Sequence, residues 1–279
     1  MREIEYKVVV QEIAKTVQEA NFKLPEDVLS HLKYAIKKER SEIAVQVLED
    51  ILSNAETAKN DNLPLCQDTG SAVFFIELGA DVKIEGGLLE DAINEGTAQG
   101  YEAGYLRKSV CHPLTRENTG NNTPAIIHLR QVKGDKLRIT YLAKGGGAEN
   151  MSSLAMLLPA DGKKGIVETA VETVRRAGAK PCPPTVIGIG IGGNFERSAF
   201  LAKWALRRRL DEHNPDSELA AMESEILERL NKLGIGPLGM GGDTTSLAVH
   251  IELEPCHIAS LPVAINVNCH SDRRGVIEL

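Results

Sequence analysis

A run of polar residues stands between two turn-forming residues in Leu63-Pro-Leu-Cys-Gln-Asp-Thr-Gly70. Here Cys66, Gln67 and Asp68 place a thiol, an amide and a carboxylate on consecutive positions. The proline and the glycine indicate an ordered loop, and the apolar run that follows is typical of a buried strand. A thiol beside polar groups at the entrance to a strand could bind a metal and a substrate together. An ordinary loop with a buried free thiol explains the same residues, so both interpretations stay open.

The chain contains five cysteines: Cys66, Cys111, Cys182, Cys256 and Cys269. An odd number without a secretion signal argues against a disulfide framework. The absence of a Cys-x-x-Cys pair argues against a zinc ribbon or a thioredoxin-type site. Any metal site must therefore be assembled from distant positions. The prolines around Cys182 give it a rigid backbone, which suits a metal ligand but is also compatible with a tight loop that binds nothing.

The sequence contains two glycine-rich segments, of which the first is a candidate for anion binding. Lys144 precedes three consecutive glycines, whose backbone N–H groups could converge on an anion while the lysine adds positive charge. A flexible surface turn is the alternative interpretation. A second segment of this kind covers residues 236–242.

The segment Gly188-Ile-Gly-Ile-Gly-Gly193 matches the dinucleotide-binding pattern G-x-G-x-x-G after a predicted strand. The acidic residue that should bind a ribose would be Asp211, but Asp211 lies in a polar stretch after a helix. No strand–helix–strand unit follows either. These two departures from the dinucleotide-binding context argue against a nicotinamide-dependent dehydrogenase. A helix N-terminus that binds another anion remains compatible with the glycine pattern.

Composition excludes several classes of protein. The net charge of −7 argues against a general binder of nucleic acid or acidic membranes. No apolar run is long enough to cross a bilayer. The N-terminus lacks the apolar core of a signal peptide, so we expect a cytoplasmic protein.

Hydrophobic spacing predicts an α/β or mixed α+β fold. The first sixty residues predict three helices, with Pro25 at the start of the second and Ser41 as the N-cap of the third. After residue 73, strands and helices alternate. Segments 125–129 and 136–142 resemble two paired strands with Gly134 in the turn between them. We therefore expect a helical N-terminal segment followed by strands that alternate with helices, with loops of interest at the strand ends.

Six motifs follow one another along nearly the whole chain: Cys66-Gln-Asp-Thr-Gly, Asn118-Thr-Gly-Asn-Asn-Thr-Pro, Lys144-Gly-Gly-Gly, Cys182-Pro-Pro, Gly188-Ile-Gly-Ile-Gly-Gly and Asn268-Cys-His-Ser-Asp-Arg-Arg. Together, and in this order, they resemble the class I, iron–sulfur fumarate hydratases. The resemblance is to the α subunit of the two-subunit form, a relative of the L-tartrate dehydratase α subunit.

The resemblance implies a [4Fe–4S] cluster held by Cys66, Cys182 and Cys269. Three thiolates would bind three irons and leave the fourth open to water or substrate. An open iron acts as a Lewis acid toward the carboxylate and hydroxyl of a 2-hydroxy acid. It is also exposed to oxygen, so an oxygen-sensitive enzyme is expected.

The resemblance also implies roles for residues around the substrate. Gln67 and Asp68 match substrate contacts, and Asp68 matches the candidate proton donor, which His257 would orient. Arg107 would clamp a substrate carboxylate, with Arg116 as a weaker candidate for that role. Gly145 and the 148–150 segment, including Asn150, would supply further contacts to the substrate.

The resemblance further implies that residues 1–279 form one cluster-binding domain, with the helical segment 1–60 packed on it. The catalytic C-terminal-type domain of single-chain relatives would lie on a separate β subunit, in an α2β2 assembly. Fumarate and malate are the expected substrates, since the 144–150 and 242–246 segments look more like those of fumarases. An L-tartrate dehydratase α subunit is the alternative. A non-catalytic Fe–S carrier or sensor is an alternative of another class, but it would not need the polar, arginine-containing loops.

Overall fold

The structure is a computed structural model that describes all residues from 1 to 279. Its helices are α1 (Tyr6–Phe22), α2 (Glu26–Lys38), α3 (Glu42–Asp61), α4 (Leu89–Ala103), α5 (Gly146–Glu149), α6 (Gly162–Ala177), α7 (Phe195–Ala205) and α8 (Ser217–Asn231). Its strands are β1 (Arg2–Glu5), β2 (Ser71–Gly79), β3 (Val82–Glu85), β4 (Ile126–Val132), β5 (Leu137–Lys144), β6 (Ser153–Leu157), β7 (Thr185–Gly193), β8 (Ser246–Cys256), β9 (Leu261–Asn268) and β10 (Arg274–Glu278). This mixture confirms the predicted α/β class.

The chain divides into two compact units, each assembled from separate segments. The first unit comprises Met1–Pro25, Asn54–Gly146 and Arg273–Leu279. The second comprises Glu26–Ser53 and Gly147–Asp272. The predicted helical segment 1–60 is shared between them, because α1 belongs to the first unit and α2 to the second. None of the helices combines the length and apolarity that crossing a membrane would require.

The first unit contains a four-stranded mixed sheet in the order β10-β5-β2-β4. Strand β2 lies between an antiparallel β5 and a parallel β4. The predicted hairpin between 125–129 and 136–142 is therefore wrong, because β2 is inserted between these two strands. Residues 73–76 of β2 are almost fully buried, as expected of a central strand with a neighbour on each side. Helix α1 contributes its apolar side to the same core.

The start of the chain is also different from the prediction. Residues 2–5 form strand β1, which pairs in parallel with β3. Ile4 is the one buried residue of this strand, between exposed charged neighbours. The alternation of polar and apolar residues over so few positions fits a strand as well as a helix, and pairing with β3 decides between them.

The second unit contains a sheet in the order β6-β9-β7-β8, with helices α6 and α8 in its core. Helix α7 lies so close to β7 that a Cβ atom at Gly188 would lie 2.1 Å from the carbonyl oxygen of Ala202. A Cβ atom at Gly190 would lie 2.0 Å from that of Ser198. The glycines of the G-x-G-x-x-G pattern therefore have a packing function: they allow a helix to approach a strand.

The predicted start of α3 is confirmed, and a glycine follows the end of α6. The Ser41 hydroxyl accepts a 3.3 Å hydrogen bond from the Ala44 amide, so Ser41 caps the N-terminus of α3. Gly178 follows α6 with a φ of +56°, a conformation that glycine adopts without strain.

Candidate active site

The loop that carries Cys66 belongs to the first unit and follows α3. Its anchor is Leu65, whose side chain is buried and whose backbone is held on both sides. The Leu65 amide donates to the carbonyl of Asn21 (2.9 Å), and the Leu65 carbonyl accepts from Asn54 Nδ2 (3.0 Å). Because its neighbour is fixed in this way, the half-buried thiol of Cys66 has a defined position.

The Asp68 carboxylate is fixed by two backbone amides. Its Oδ1 accepts from Gly70 (3.1 Å) and its Oδ2 accepts from Gly146 (2.7 Å). Hydrogen bonds to an ionised carboxylate are stronger than those between neutral groups. The loop after Cys66 is thus tied to the glycine run that begins at Gly145, and the structure brings these two predicted site segments together. A Cβ atom at Gly145 would lie 3.1 Å from Asp68 Oδ2.

Arg107 and Gln67 also lie together, with exposed side chains. Arg107 Nη1 donates a 3.0 Å hydrogen bond to Gln67 Oε1. The carbonyl of Arg107 accepts from the buried Thr69 hydroxyl at 2.9 Å. These contacts place a cation and an amide beside Asp68, a combination able to bind a carboxylate. Arg116, the alternative cation, donates to the carbonyl of Pro113 within its own loop (3.4 Å).

Asn122 organises the polar loop between α4 and β4, a role that the sequence did not reveal. It is fully buried, and its Oδ1 accepts from the amides of Ser109 (2.6 Å) and Val110 (3.2 Å). Its Nδ2 donates to the carbonyl of Gly70 (3.2 Å). One side chain therefore ties the Arg107 segment to the end of the Cys66 loop. The signal available in the sequence was an asparagine among turn-forming residues. Asparagine tolerates the positive φ that it adopts here, +61°.

Tyr101 holds the end of the Cys66 loop through its hydroxyl group. Its single hydroxyl hydrogen is shared between the carbonyls of Thr69 (3.0 Å) and Gly70 (2.9 Å). Burial raises the pKa of Tyr101 well above its usual value. The hydroxyl therefore stays protonated and keeps both hydrogen bonds across the physiological pH range.

In the second unit, the loops of Cys182 and Cys269 adjoin each other. The carbonyl of Cys182 accepts from the His270 amide at 3.4 Å and contacts His270 Nδ1 at 3.0 Å. Cys182 itself adopts a φ of +53° and is exposed. The Cys269 loop is closed by a 2.6 Å hydrogen bond from Asn268 Nδ2 to Asp272 Oδ1. Two of the three predicted cluster ligands thus stand on loops in direct contact.

The glycine-rich segment 236–242 supports the Cys182 loop. The Leu238 amide donates a 2.7 Å hydrogen bond to the carbonyl of Pro183, next to Cys182. The close approach extends to Gly239, where a Cβ atom would lie 2.3 Å from Cβ of Ala179. This second glycine-rich segment therefore positions the Cys182 loop.

The remaining predicted site residues, His257 and Asn150, lie on exposed turns of the second unit. His257 stands between β8 and β9, and its Nδ1 accepts from the Ala259 amide at 3.1 Å. Its Nε2 is then the nitrogen that carries the proton in neutral imidazole. Asn150 follows α5. Because Asp68 belongs to the first unit, the predicted action of His257 on Asp68 stays a prediction, and so does the joint contact of Asn150 with the substrate.

The chemistry of the donor set fits an iron–sulfur cluster. Cys66, Cys182 and Cys269 form no disulfide bonds, and each lies in a loop where it is exposed or half-buried. No three Cys, His, Asp or Glu side chains converge closely enough to hold a single metal ion. A [4Fe–4S] cluster is larger than a single ion and binds each thiolate through a different iron, so the criterion for a single ion does not test it.

Comparison with known proteins gives the family. A family model described as "Fumarate hydratase (Fumerase)" matches residues 10–278. A Methanocaldococcus jannaschii protein, provisionally named L(+)-tartrate dehydratase subunit alpha, is 44% identical over 270 residues, which cover 95% of each chain. The L(+)-tartrate dehydratase subunit alpha of Escherichia coli K12 is 30% identical over 262 residues, which cover 91% of this chain and 85% of that one.

These matches confirm the resemblance that the sequence motifs indicated. The chain belongs to the fumarate hydratase (Fumerase) family of hydro-lyases. Its similarity to α subunits extends over almost its whole length.

Proposed function

We propose that this chain is the α subunit of a hydro-lyase that converts fumarate and (S)-malate reversibly. The observation that carries the proposal is the arrangement around Asp68. Two backbone amides hold its carboxylate. Gln67, which lies between Cys66 and Asp68 in the sequence, is hydrogen-bonded to Arg107. A hydration reaction needs a positioned proton donor and a clamp for an anionic substrate, and these residues supply both.

Substrate binding is assigned to the exposed polar groups of this loop. Arg107 offers a planar guanidinium that can bind one carboxylate of the dicarboxylate by two parallel hydrogen bonds. Gln67 holds the guanidinium in place through their 3.0 Å hydrogen bond and keeps its own NH2 group for the substrate. The main chain at Gly145 and the side chain of Asn150 are assigned to further substrate contacts.

The proton transfer is assigned to Asp68. In the direction from malate to fumarate, the carboxyl group of Asp68 gives its proton to the departing hydroxyl group, which leaves as water, while a base takes the proton from the neighbouring carbon. The amides of Gly70 and Gly146 then stabilise the carboxylate that this leaves. His257 is assigned the role of orienting Asp68. A threonine of the β subunit would complete the site as base.

The cofactor is assigned to Cys66, Cys182 and Cys269 as ligands of a [4Fe–4S] cluster. When bound, this cluster would supply a Lewis acid that holds the hydroxyl group of malate and eases its departure. The accessible thiols and the contact between the Cys182 and Cys269 loops support this assignment.

We assign the activity to a complex with a β subunit, in an α2β2 assembly in the cytoplasm. The name "subunit alpha" of the relatives supports such a partner. The exposure of Arg107, His257 and Cys182 supports it as well, because hydro-lyase sites must control the access of water.

L-tartrate is the second candidate substrate, since the relatives that match this chain carry the name L(+)-tartrate dehydratase. Tartrate differs from malate by one hydroxyl group. A pocket built for malate would leave that hydroxyl without a partner, which costs about 1–3 kcal/mol. The residues from 144 to 150 are the segment that we expect to decide between the two acids.

A competition assay tests the proposal. The α chain is purified with its β subunit without oxygen, its iron and sulfide are reconstituted, and the conversion of fumarate, malate and L-tartrate is measured. We expect kcat/KM for malate to exceed that for tartrate at least about tenfold, equivalent to about 1.4 kcal/mol. A preference for tartrate would identify L-tartrate as the substrate in place of malate. If none of these acids is converted, the proposal is overturned.

A further inference from the structure

Arg273 is a buried cation for which the proposed reaction has so far given no role. It is the largest fully buried side chain of the protein, with 2% of its surface exposed. Its Nη1 donates to Oδ1 of Asn21 (3.0 Å), whereas its Nε has no hydrogen-bond partner. Burying a guanidinium with an unused donor is costly, so its presence points to a function beyond filling space.

The guanidinium lies close to Gly145, next to the Gly146 amide that binds Asp68. A Cβ atom at Gly145 would lie 3.7 Å from Arg273 Nη2 and 3.1 Å from Asp68 Oδ2. The cation and the carboxylate therefore both lie close to Gly145, where a side chain would contact each of them. Arg273 is buried and Asp68 is half-buried, so water screens the interaction between their charges less than it would at the surface.

Arg273 also connects the two segments that meet at Asp68. Through Asn21 it reaches the Cys66 loop, because the carbonyl of Asn21 accepts the amide of Leu65 (2.9 Å). Through its own carbonyl it holds the end of β5, where the Ala143 amide donates to it at 3.0 Å. One residue thus fixes the Cys66–Asp68 loop on one side and the approach to Gly145 on the other.

We propose that Arg273 is a positioning residue that holds Asp68 against the Gly145–Gly146 main chain. It acts through Asp68 and does not contact the substrate. The inference rests on the proposed function for its catalytic consequence, but its structural consequence can be measured independently.

The test compares Arg273→Lys with Arg274→Lys, which changes the neighbouring half-buried arginine in the same way. Hydrogen–deuterium exchange is measured on the α chain, and kcat and KM on the αβ complex. We expect Arg273→Lys to speed exchange in residues 63–70 and 143–147 and to lower kcat about tenfold or more, with a smaller change in KM. Arg274→Lys should leave these quantities within about twofold of wild type.

A second variant covers the case in which Arg273→Lys does not fold. Asn21→Ala leaves the guanidinium in place and removes the partner of its Nη1. It should give the same pattern of exchange with a smaller loss of kcat. Wild-type exchange in residues 63–70 for either folded variant would overturn the inference. The two proposals can fail separately. If the wild-type complex converts none of the acids but the variants still show faster exchange, the proposed function is overturned and the positioning of Asp68 by Arg273 is supported.

Discussion

The Asp68 carboxylate accepts a 2.7 Å hydrogen bond from the Gly146 amide, although the two residues lie 78 positions apart. This bond joins the end of the Cys66 loop to the start of the glycine run. It fixes the direction of the carboxylate and uses one of its oxygens. The proposed proton transfer depends on this arrangement.

Replacement of Asp68 should remove most of the activity without loss of the fold. Asp68→Asn keeps an acceptor for the Gly146 amide but cannot give up a proton at neutral pH. Since general acid–base groups contribute about 10²–10⁴-fold, kcat should fall by about that factor. Asp61→Asn, at the exposed end of α3, is the control and should match wild type. An Asp68→Asn enzyme with wild-type kcat would exclude Asp68 as the proton donor.

The two arginines considered for the substrate carboxylate should respond differently to lysine. Lysine cannot form two parallel hydrogen bonds to a carboxylate, so Arg107→Lys should raise KM for malate about tenfold or more. Arg116→Lys should change KM by less than about twofold. Steady-state kinetics of the αβ complex measure both effects. The opposite ranking would move the carboxylate site to Arg116.

Gly70 should tolerate alanine far less than Gly120 does. Both have positive φ, +76° and +80°, so an alanine is strained at either position by about 1–2 kcal/mol. At Gly70 the new Cβ would also lie 2.6 Å from the carbonyl of Lys144, whereas nothing lies within 4 Å at Gly120. The free energy of unfolding should therefore fall by about 3 kcal/mol for Gly70→Ala and about 1 kcal/mol for Gly120→Ala. Equal losses in urea denaturation would contradict the close contact between β2 and Lys144.

Glu39 should make stability depend on acid pH. Burial alone would raise the pKa of Glu39, but the hydrogen bonds that it accepts from Asp243, Ser41, Thr244 and Arg40 lower it below its usual value. A carboxyl group whose pKa is lower in the folded state stabilises the fold above the unfolded pKa of about 4.3. This contribution disappears as the pH falls through the lower, folded pKa.

The measurement is the free energy of unfolding of wild type and Glu39→Gln between neutral and acid pH. The variant should be less stable at neutral pH, and the difference should shrink as the pH falls below about 4.3. Glu49→Gln, on the exposed side of α3, serves as control and should show no such trend. A constant difference between Glu39→Gln and wild type would contradict the lowered pKa.

The sequence predicted local features better than contacts between distant segments. Pro64 and Gly70 indicated the loop that carries Cys66, and Ser41 indicated the start of α3, because such signals act over a few residues. The pairing of β2 with β5 was missed, since short strands do not encode their partners. Arg273 was missed as well, because its burial depends on Asn21, 252 positions away.

The central claim is that the substrate binds to a cluster held next to the Asp68 loop. The most direct test is the electron paramagnetic resonance spectrum of the reduced, reconstituted αβ complex with and without malate. We predict a cluster signal that shifts when malate is added, shifts less with tartrate and is lost in Cys182→Ser but kept in Cys256→Ser. A cluster whose signal responds to neither acid, or a complex that binds no cluster while all five cysteines remain free thiols, would contradict the account.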